Sequence, residues 1–284
     1  MYHWSWEIVV YLFLGGLGAG AYLVSYGAER GIFGNSIFLK RIGYYLSTPS
    51  IMIGCMLLFL DLGIAFSEPL GVVRMLSNFT SVMTWGIYIL SLFIVIGIIT
   101  AIFTYKNKEI PIIISSIGAI LAFATACYTG VLLMVVMGIP FWNTYAIPGL
   151  FVVSALSTGM AACSLLSHFF IKTEFVEDKN FELVHIILVC AELLLIAALL
   201  VPALNGINGT AATQSAQIIL KGRLALPFWL LCIGGGLILP IVRYFLPKLI
   251  FSDKVGHIVS ETAILIGGLT VRAVVIFSAV RAWL

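Results

Sequence analysis

The sequence predicts an all-α integral membrane protein with eight transmembrane helices. Hydrophobic residues make up 62% of the 284-residue chain and charged residues only 10%, a balance that water-soluble domains of this size do not need. A helix that crosses a bilayer takes roughly 20 mostly apolar residues. Eight such stretches fill most of the chain, and short connections leave no room for a soluble catalytic domain. The predicted spans are 6–27, 42–66, 81–104, 112–138, 146–171, 184–203, 224–246 and 257–282.

The basic residues predict how the spans are oriented. Alternate connections place ten Lys and Arg residues on one side, at positions 30, 40, 41, 106, 108, 172, 179, 243, 248 and 254, and four on the other, at 74, 221, 223 and 281. Connections on the cytoplasmic side of a membrane carry the excess of Lys and Arg. We therefore expect a multi-pass protein of the cytoplasmic (inner) membrane with both termini on the outer side. The net charge of +3 reflects this bias and carries no nucleic-acid signal.

Small residues in the first and fifth spans predict two similar halves. The segments 15–20 and 154–159 both have the pattern small-small-Leu-small-small-Gly, which lets another helix backbone approach closely. Because the two spans are four helices apart and run in the same direction, we expect two four-helix bundles, 1–138 and 139–284. Gly234, Gly235, Gly236 and Pro240 are expected to loosen or kink the seventh span. The segment 205–221 is expected to form a polar outer loop.

A first group of polar residues is expected near the outer surface. Glu7 and Tyr11 lie one helical turn apart on the same face of the first span, and His3 continues that face. Asp61 lies near the outer end of the second span and Tyr128 in the outer half of the fourth. If the helices bundle, an acid, a phenol and an apolar surround converge, which suits a quinone head group. Tyr11 as an interfacial residue and Glu7 facing water remain alternatives.

A second group of polar residues lies deeper or towards the inner side. His185 and Glu192 share a face of the sixth span, Glu261 begins the eighth span, and Arg272 lies further out along it. Ionisable side chains within a bilayer are costly, so each of them is a functional candidate. Two interpretations are open for this group: an ion pair between Glu192 and Arg272, or a proton path from the inner side.

Neither haem nor an iron–sulfur cluster is expected within this chain. The five cysteines fall in predicted helices without a CxxC pair, so no set of closely spaced thiolates is available for a cluster. A membrane b-type haem needs two histidines facing each other at matched depth. His168, His185 and His257 lie near the inner ends of spans, and a facing pair among them is geometrically possible. Interfacial positions explain each of them more simply, so a haem-bearing subunit is the less favoured alternative. No metal site is expected.

Several short motifs, in order along the chain, resemble the NrfD/PsrC family of quinone-reactive membrane subunits. They are Tyr-Leu-Phe-Leu-Gly-Gly-Leu-Gly-Ala-Gly at 11–20, Leu-Asp-Leu-Gly at 60–63, Thr-Ser-Val-Met-Thr-Trp-Gly at 80–86, Tyr-Thr-Gly at 128–130, Pro-Phe-Trp-Asn at 140–143 and Pro-Gly-Leu-Phe at 148–151. The resemblance covers roughly residues 4–163, and beyond them only the architecture supports it.

The resemblance implies a membrane anchor for an iron–sulfur protein of the four-cluster ferredoxin type, which in turn contacts a molybdopterin catalytic subunit. It also implies a quinone site in the N-terminal bundle near the outer face. By position, Tyr128 corresponds to the quinone-contacting tyrosine, and Trp85 lies in the matched third-span motif. Tyr11 stands where a relative has a histidine, and Ile8 where it has an asparagine. Glu7 is therefore the candidate substitute as proton acceptor.

The expected function is electron exchange between a membrane quinone, menaquinone or ubiquinone, and an extrinsic iron–sulfur partner, with proton translocation left open. The alternative is a secondary transporter with two pseudo-repeat halves, which the repeated motif and the glycine-rich seventh span would also suit. The direction of electron flow and the terminal substrate are not determined by these motifs.

Overall fold

The computed structural model describes residues 5–33, 38–62, 77–170, 179–246 and 253–282. Within these ranges the chain forms nine helices and no strand. Their bounds are α1 Trp6–Glu29, α2 Leu39–Leu62, α3 Val82–Tyr105, α4 Ile112–Met134, α5 Ala146–Phe170, α6 Lys179–Leu204, α7 Thr210–Leu220, α8 Ala225–Phe245 and α9 Asp253–Phe277. All except α7 are long and apolar enough to cross a membrane. The predicted all-α membrane fold with eight spans is confirmed.

The described span boundaries agree with the predicted ones within about five residues, and the end of the fourth span differs for a reason of local chemistry. Residues 63–66 and 171, predicted within the second and fifth spans, lie outside the described residues. The fourth span was expected to continue to residue 138, but α4 ends at Met134. The apolar sequence runs on past the helix, so hydrophobicity alone does not mark its end. Gly138 and Pro140 follow in a tight turn, and neither residue favours the continuation of a helix.

The segment 205–221 is not simply the polar loop that was predicted, because it contains the helix α7. Gly209, with a φ of +87°, precedes the helix. The buried side of α7 consists of small and apolar residues at helical spacing, Ala212, Ser215, Ala216 and Ile219. This helical spacing predicts a helix, although the composition of the segment as a whole is polar. The Ser215 hydroxyl accepts a hydrogen bond of 3.1 Å from the Val280 backbone N–H, so α7 is attached to the segment that follows α9.

The glycine-rich part of α8 is wound as a π-helix rather than broken. Residues Phe228–Ile238 have π-helical hydrogen bonding, a rare arrangement that usually occurs as single-turn bulges at functional positions. Gly236 lies against Gly267 of α9, and a Cβ built on Gly236 would lie 2.7 Å from the Gly267 Cα. The glycines therefore allow α8 and α9 to touch through their backbones.

The helix α1 occupies the centre of the fold. It is the most buried of the spans and packs against α2, α4, α5 and α9. Its contact with α5 joins the small-residue segments that the sequence singles out: a Cβ on Gly20 would overlap the Ala155 carbonyl oxygen, and Gly159 lies against Gly20. The division into bundles 1–138 and 139–284 stays a prediction, with α1 and α5 as its junction.

The eight described spans alternate in direction, so the start of α1 and the end of α9 lie at the same face. The backbone N–H of Ala282 donates to the Gly138 carbonyl at 3.1 Å, close to the outer-predicted end of α4. We call the opposite face the basic face, where α1 and α3 end and α2 and α4 begin. That the termini lie outside the cell stays a prediction.

We expect Gly20→Ala to destabilise the protein by about 1–3 kcal/mol, the usual cost of overpacking a close contact, because the added methyl group would overlap the α5 backbone. The measurement is the apparent Tm of the purified protein in detergent. Gly15→Ala is the matched control, since its Cβ would lie 3.8 Å from the nearest neighbour, the Thr129 Cγ2, and it should leave the Tm nearly unchanged. Equal Tm shifts for the two variants would contradict this packing.

Candidate functional site

Two tyrosine side chains meet inside the first four helices. Tyr11 of α1 is fully buried and Tyr128 of α4 is nearly so, and their phenol groups are close electrostatic neighbours. The ring of Tyr128 lies directly on Gly86 of α3, where a Cβ would overlap it. Cys55 of α2 is a further neighbour of both phenols. We call Tyr11 and Tyr128 the tyrosine pair.

The hydroxyl of Tyr11 is the unusual atom of this pair. It is buried and has no hydrogen bond of good geometry to the residues that the structure describes, although the Tyr128 phenol is close by. A buried hydroxyl without a partner carries a desolvation cost of about 1–3 kcal/mol. A ligand oxygen or a water molecule at this position would remove that cost.

The other residues predicted for this site lie in different places. Glu7 is half-buried in the first turn of α1, one turn outward from Tyr11. The Trp85 indole is 54% exposed and donates a 2.9 Å hydrogen bond to the Phe79 carbonyl, so it faces the surroundings of the bundle rather than the tyrosine pair. Asp61 belongs to the last turn of α2, but its side chain, like all of His3, lies outside the described residues.

Arg272 of α9 is the most enclosed charged group among the described residues, with no exposed surface. Its Nε donates to the Leu12 carbonyl of α1 at 3.1 Å. Its Nη1 donates to the Ser154 hydroxyl of α5 at 3.1 Å and to the Gly268 carbonyl at 2.8 Å. The guanidinium also lies 5.3 Å from the centre of the Phe151 ring, within cation–π range. One side chain thus connects three spans.

The partner charge for Arg272 comes from α6. Glu192 is buried and interacts electrostatically with Arg272, and its carboxyl lies near the Ser154 hydroxyl. The structure therefore places together the two residues for which an ion pair was one interpretation. Sequence reasoning missed Ser154, which contacts both charges but is, in the sequence, one small residue of a packing motif. Gly16 was also assigned to packing alone, yet a Cβ there would collide with the Arg272 guanidinium.

A second polar cluster lies at the basic face of the C-terminal helices. Glu261 Oε1 is 3.9 Å from His185 Nδ1 and 3.8 Å from His257 Nδ1, and His257 Nε2 is 3.1 Å from the Ser164 hydroxyl. A cavity of about 280 Å³ opens onto His185 and Glu261 and is also lined by Arg243. Two predicted proton-path residues thus meet at a cavity, while Glu192 and Arg272 lie deeper in the fold.

The eight spans, with charged side chains held at membrane depth, define a multi-pass helical membrane protein. Comparison with known proteins shows to which family of membrane proteins the chain belongs. The chain belongs to the NrfD family, because the family model described as "Polysulphide reductase, NrfD" matches residues 1–282. The match extends the resemblance, found over roughly residues 4–163, to the C-terminal half.

Individual relatives agree with this membership. The C chain of polysulfide reductase from Wolinella succinogenes is 30% identical over 269 residues, which cover 84% of this protein and 82% of the relative. A protein NrfD homolog of Haemophilus influenzae is 25% identical, with the same coverage of each protein. Protein NrfD of Escherichia coli is 25% identical over 270 residues, which cover 84% of this protein and 83% of the relative.

We expect Arg272→Met to destabilise the protein by about 3–5 kcal/mol, because it leaves the buried Glu192 carboxylate without its counter-charge. The double variant Glu192→Gln/Arg272→Met should recover part of that loss. Denaturant unfolding of the single and double variants measures the coupling, and Arg281→Met at an exposed position controls for the loss of a charge. Strictly additive effects of the two substitutions would show that the residues do not interact.

Proposed function

We propose that the protein is a quinone-reactive membrane-anchor subunit of a respiratory oxidoreductase in the cytoplasmic (inner) membrane. The observation that carries this proposal is the buried tyrosine pair, with an unsatisfied Tyr11 hydroxyl, between the first four helices. Family membership supports the proposal, since one relative is the C chain of a polysulfide reductase. A subunit of this kind passes electrons to partners rather than converting the terminal substrate itself.

The tyrosine pair fits a quinone head group by its donors and acceptors. Each phenol can donate one hydrogen bond and accept others, which matches the two oxygens of a quinone. A bound quinone supplies two-electron, two-proton redox chemistry. The chain's own residues orient the head group and move protons: Tyr11 and Tyr128 hold the oxygens, and Glu7, one turn outward, takes or returns a proton. Asp61 is the second candidate acid.

Access for a lipid-soluble ligand is expected along α3. Gly86 lies under the Tyr128 ring, and its neighbour Trp85 turns an exposed indole to the surroundings. An isoprenoid tail that lies along this side of α3 would contact the indole while the head group reaches the phenols. This placement gives Trp85 a role at the entrance, although it does not face the pair.

Electrons must enter or leave through a partner, because the sequence offers no closely spaced cysteines for a cluster of its own. We propose a four-cluster ferredoxin-like iron–sulfur subunit on the outer side, attached to a molybdopterin catalytic subunit. For each quinol oxidised, two electrons pass to that partner and two protons are released. In the reverse direction the quinone takes up two electrons from the partner and two protons.

We further propose that His185, Glu261, Glu192 and Arg272 form a proton path from the basic face. The cavity brings water to His185 and Glu261. Glu192 lies two helical turns further along α6 and interacts electrostatically with Arg272. Arg272 in turn bonds the backbone of α1 at Leu12, next to Tyr11, so the path ends beside the tyrosine pair.

The transporter alternative receives less support. Transporter sites usually lie at the midplane on discontinuous helices, whereas α8 continues from Ala225 to Phe245 despite its π-helical stretch. Family membership also favours the redox interpretation.

We expect Tyr128→Phe and Tyr11→Phe each to lower quinol oxidation by the assembled complex roughly 10–100-fold, because each removes a buried hydrogen bond of about 1.5–3 kcal/mol to the reacting head group. The measurement is turnover with a quinol analogue. Tyr145→Phe is the matched control, since that side chain is 87% exposed. Unchanged turnover in both site variants, with the complex intact, would contradict the quinone proposal.

Glu261→Gln should uncouple proton movement from electron transfer, because the amide cannot carry a proton into the path. In proteoliposomes we expect quinol oxidation close to that of the unmodified complex, with a reduced membrane potential. Glu109→Gln, at an exposed position in the other half, should change neither quantity. A full potential in the Glu261→Gln variant would remove this residue from the path.

A further inference from the structure

A second cavity, of about 410 Å³, lies at the basic face between the N-terminal helices. Three chain segments form it: the end of α1, the start of α2 and the turn between α3 and α4. Four basic side chains line it, Arg30, Lys40, Arg41 and Lys108, against two acidic ones, Glu29 and Glu109. We call it the basic cavity. It is separate from the tyrosine pair and from the cavity at Glu261.

The basic cavity lies at the depth of the lipid head groups. Its lining comes from residues at or next to the ends of four spans, which end or begin at Glu29, Leu39, Tyr105 and Ile112. The ends of hydrophobic spans mark the boundary of the hydrocarbon core, and the polar head groups lie directly outside it. A ligand in this cavity would therefore be level with the phosphates of one leaflet.

Local structure holds the Arg30 guanidinium and sets the backbone position of Lys108. The Arg30 guanidinium lies 4.9 Å from the centre of the Tyr26 ring, and its Nη2 is 3.5 Å from the Ser115 hydroxyl of α4. Asn107, with a left-handed φ of +52°, ends α3 in a turn closed by the Lys108 N–H to the Phe103 carbonyl at 3.0 Å. This turn returns the chain so that Lys108 lines the cavity. Arg30 keeps further N–H groups that can donate to phosphate oxygens.

The rim beside the cavity is apolar and faces outward. Tyr105, Ile112 and Ile113 are 79%, 60% and 69% exposed, and they belong to the ends of membrane spans. Such side chains suit the upper part of acyl chains rather than an aqueous protein segment. Basic pockets between spans on the cytoplasmic side are a recognised form of anionic-lipid site.

We propose that the basic cavity binds the phosphate head group of an anionic phospholipid. The basic side chains attract the net negative charge, Arg30 and Lys108 supply the hydrogen bonds, and the exposed apolar side chains accommodate the lipid tails. The site would fix the α1–α2 and α3–α4 ends to one leaflet, and it does not depend on the proposed quinone chemistry.

Native mass spectrometry of the purified protein, titrated with phosphatidylglycerol or phosphatidylcholine, tests this inference. We expect selective retention of phosphatidylglycerol, which weakens about fivefold, or roughly 1 kcal/mol, for each basic group removed. Arg30→Gln/Lys108→Gln should therefore lose roughly 25-fold. Lys106→Gln is the matched control, because this exposed residue lies in the same turn but does not line the cavity.

The variants also distinguish a defined lipid site from less specific binding. An equal loss per charge in Lys106→Gln and in the double variant would show general surface attraction and overturn the site. Equal retention of the two lipids would overturn it as well. Displacement of phosphatidylglycerol by excess inorganic phosphate would identify a site for a soluble anion instead, and displacement by an acidic partner protein would identify a protein-docking site. The apparent Tm of each variant verifies folding.

Discussion

The arrangement of the spans depends on a buried cation that joins helices from both halves of the chain. Arg272 of α9 donates to α1 at Leu12 and to α5 at Ser154, while Glu192 of α6 supplies the opposite charge. The hydrocarbon core of a bilayer offers no hydrogen-bond acceptors to a guanidinium, so the protein must supply them. Gly16 provides the space, because any Cβ there would displace the guanidinium.

The same interaction lies between the two regions for which we propose a function. Leu12 directly follows Tyr11, so the carbonyl held by Arg272 belongs to the turn of α1 that carries one member of the tyrosine pair. On the other side, Glu192 lies on the helix that presents His185 to the cavity at the basic face. Arg272 therefore connects the charged groups of the C-terminal helices to the backbone beside the proposed quinone site. No flexible loop of the described structure needs to intervene.

Much of this architecture could be predicted from the sequence, because bilayer thickness dictates the length of each apolar stretch. The proximity of Tyr11 and Tyr128 followed from helical spacing and matched depth. The direction of the Trp85 indole could not be predicted from the sequence. Neighbouring residues on one helix point to different sides, and only packing decides which side is inward. The helix α7 was not predicted, because its composition is largely polar and its buried face consists mainly of small residues. The role of Ser154 was not predicted, because no sequence pattern marks a hydroxyl that accepts a hydrogen bond from an arginine of another helix.

The contact between α1 and α5 has a consequence for the symmetry of the fold. Gly16 lies against Ala155, and Gly20 against Gly159, and in each pair the residues hold the same place in the two repeated motifs. Parallel helices that touch through matching positions are related by an approximate dyad along the membrane normal, as in an isologous dimer. The side chains around this seam do not repeat: Tyr11 precedes the motif of α1, whereas Ser154 within the motif of α5 accepts a hydrogen bond from Arg272.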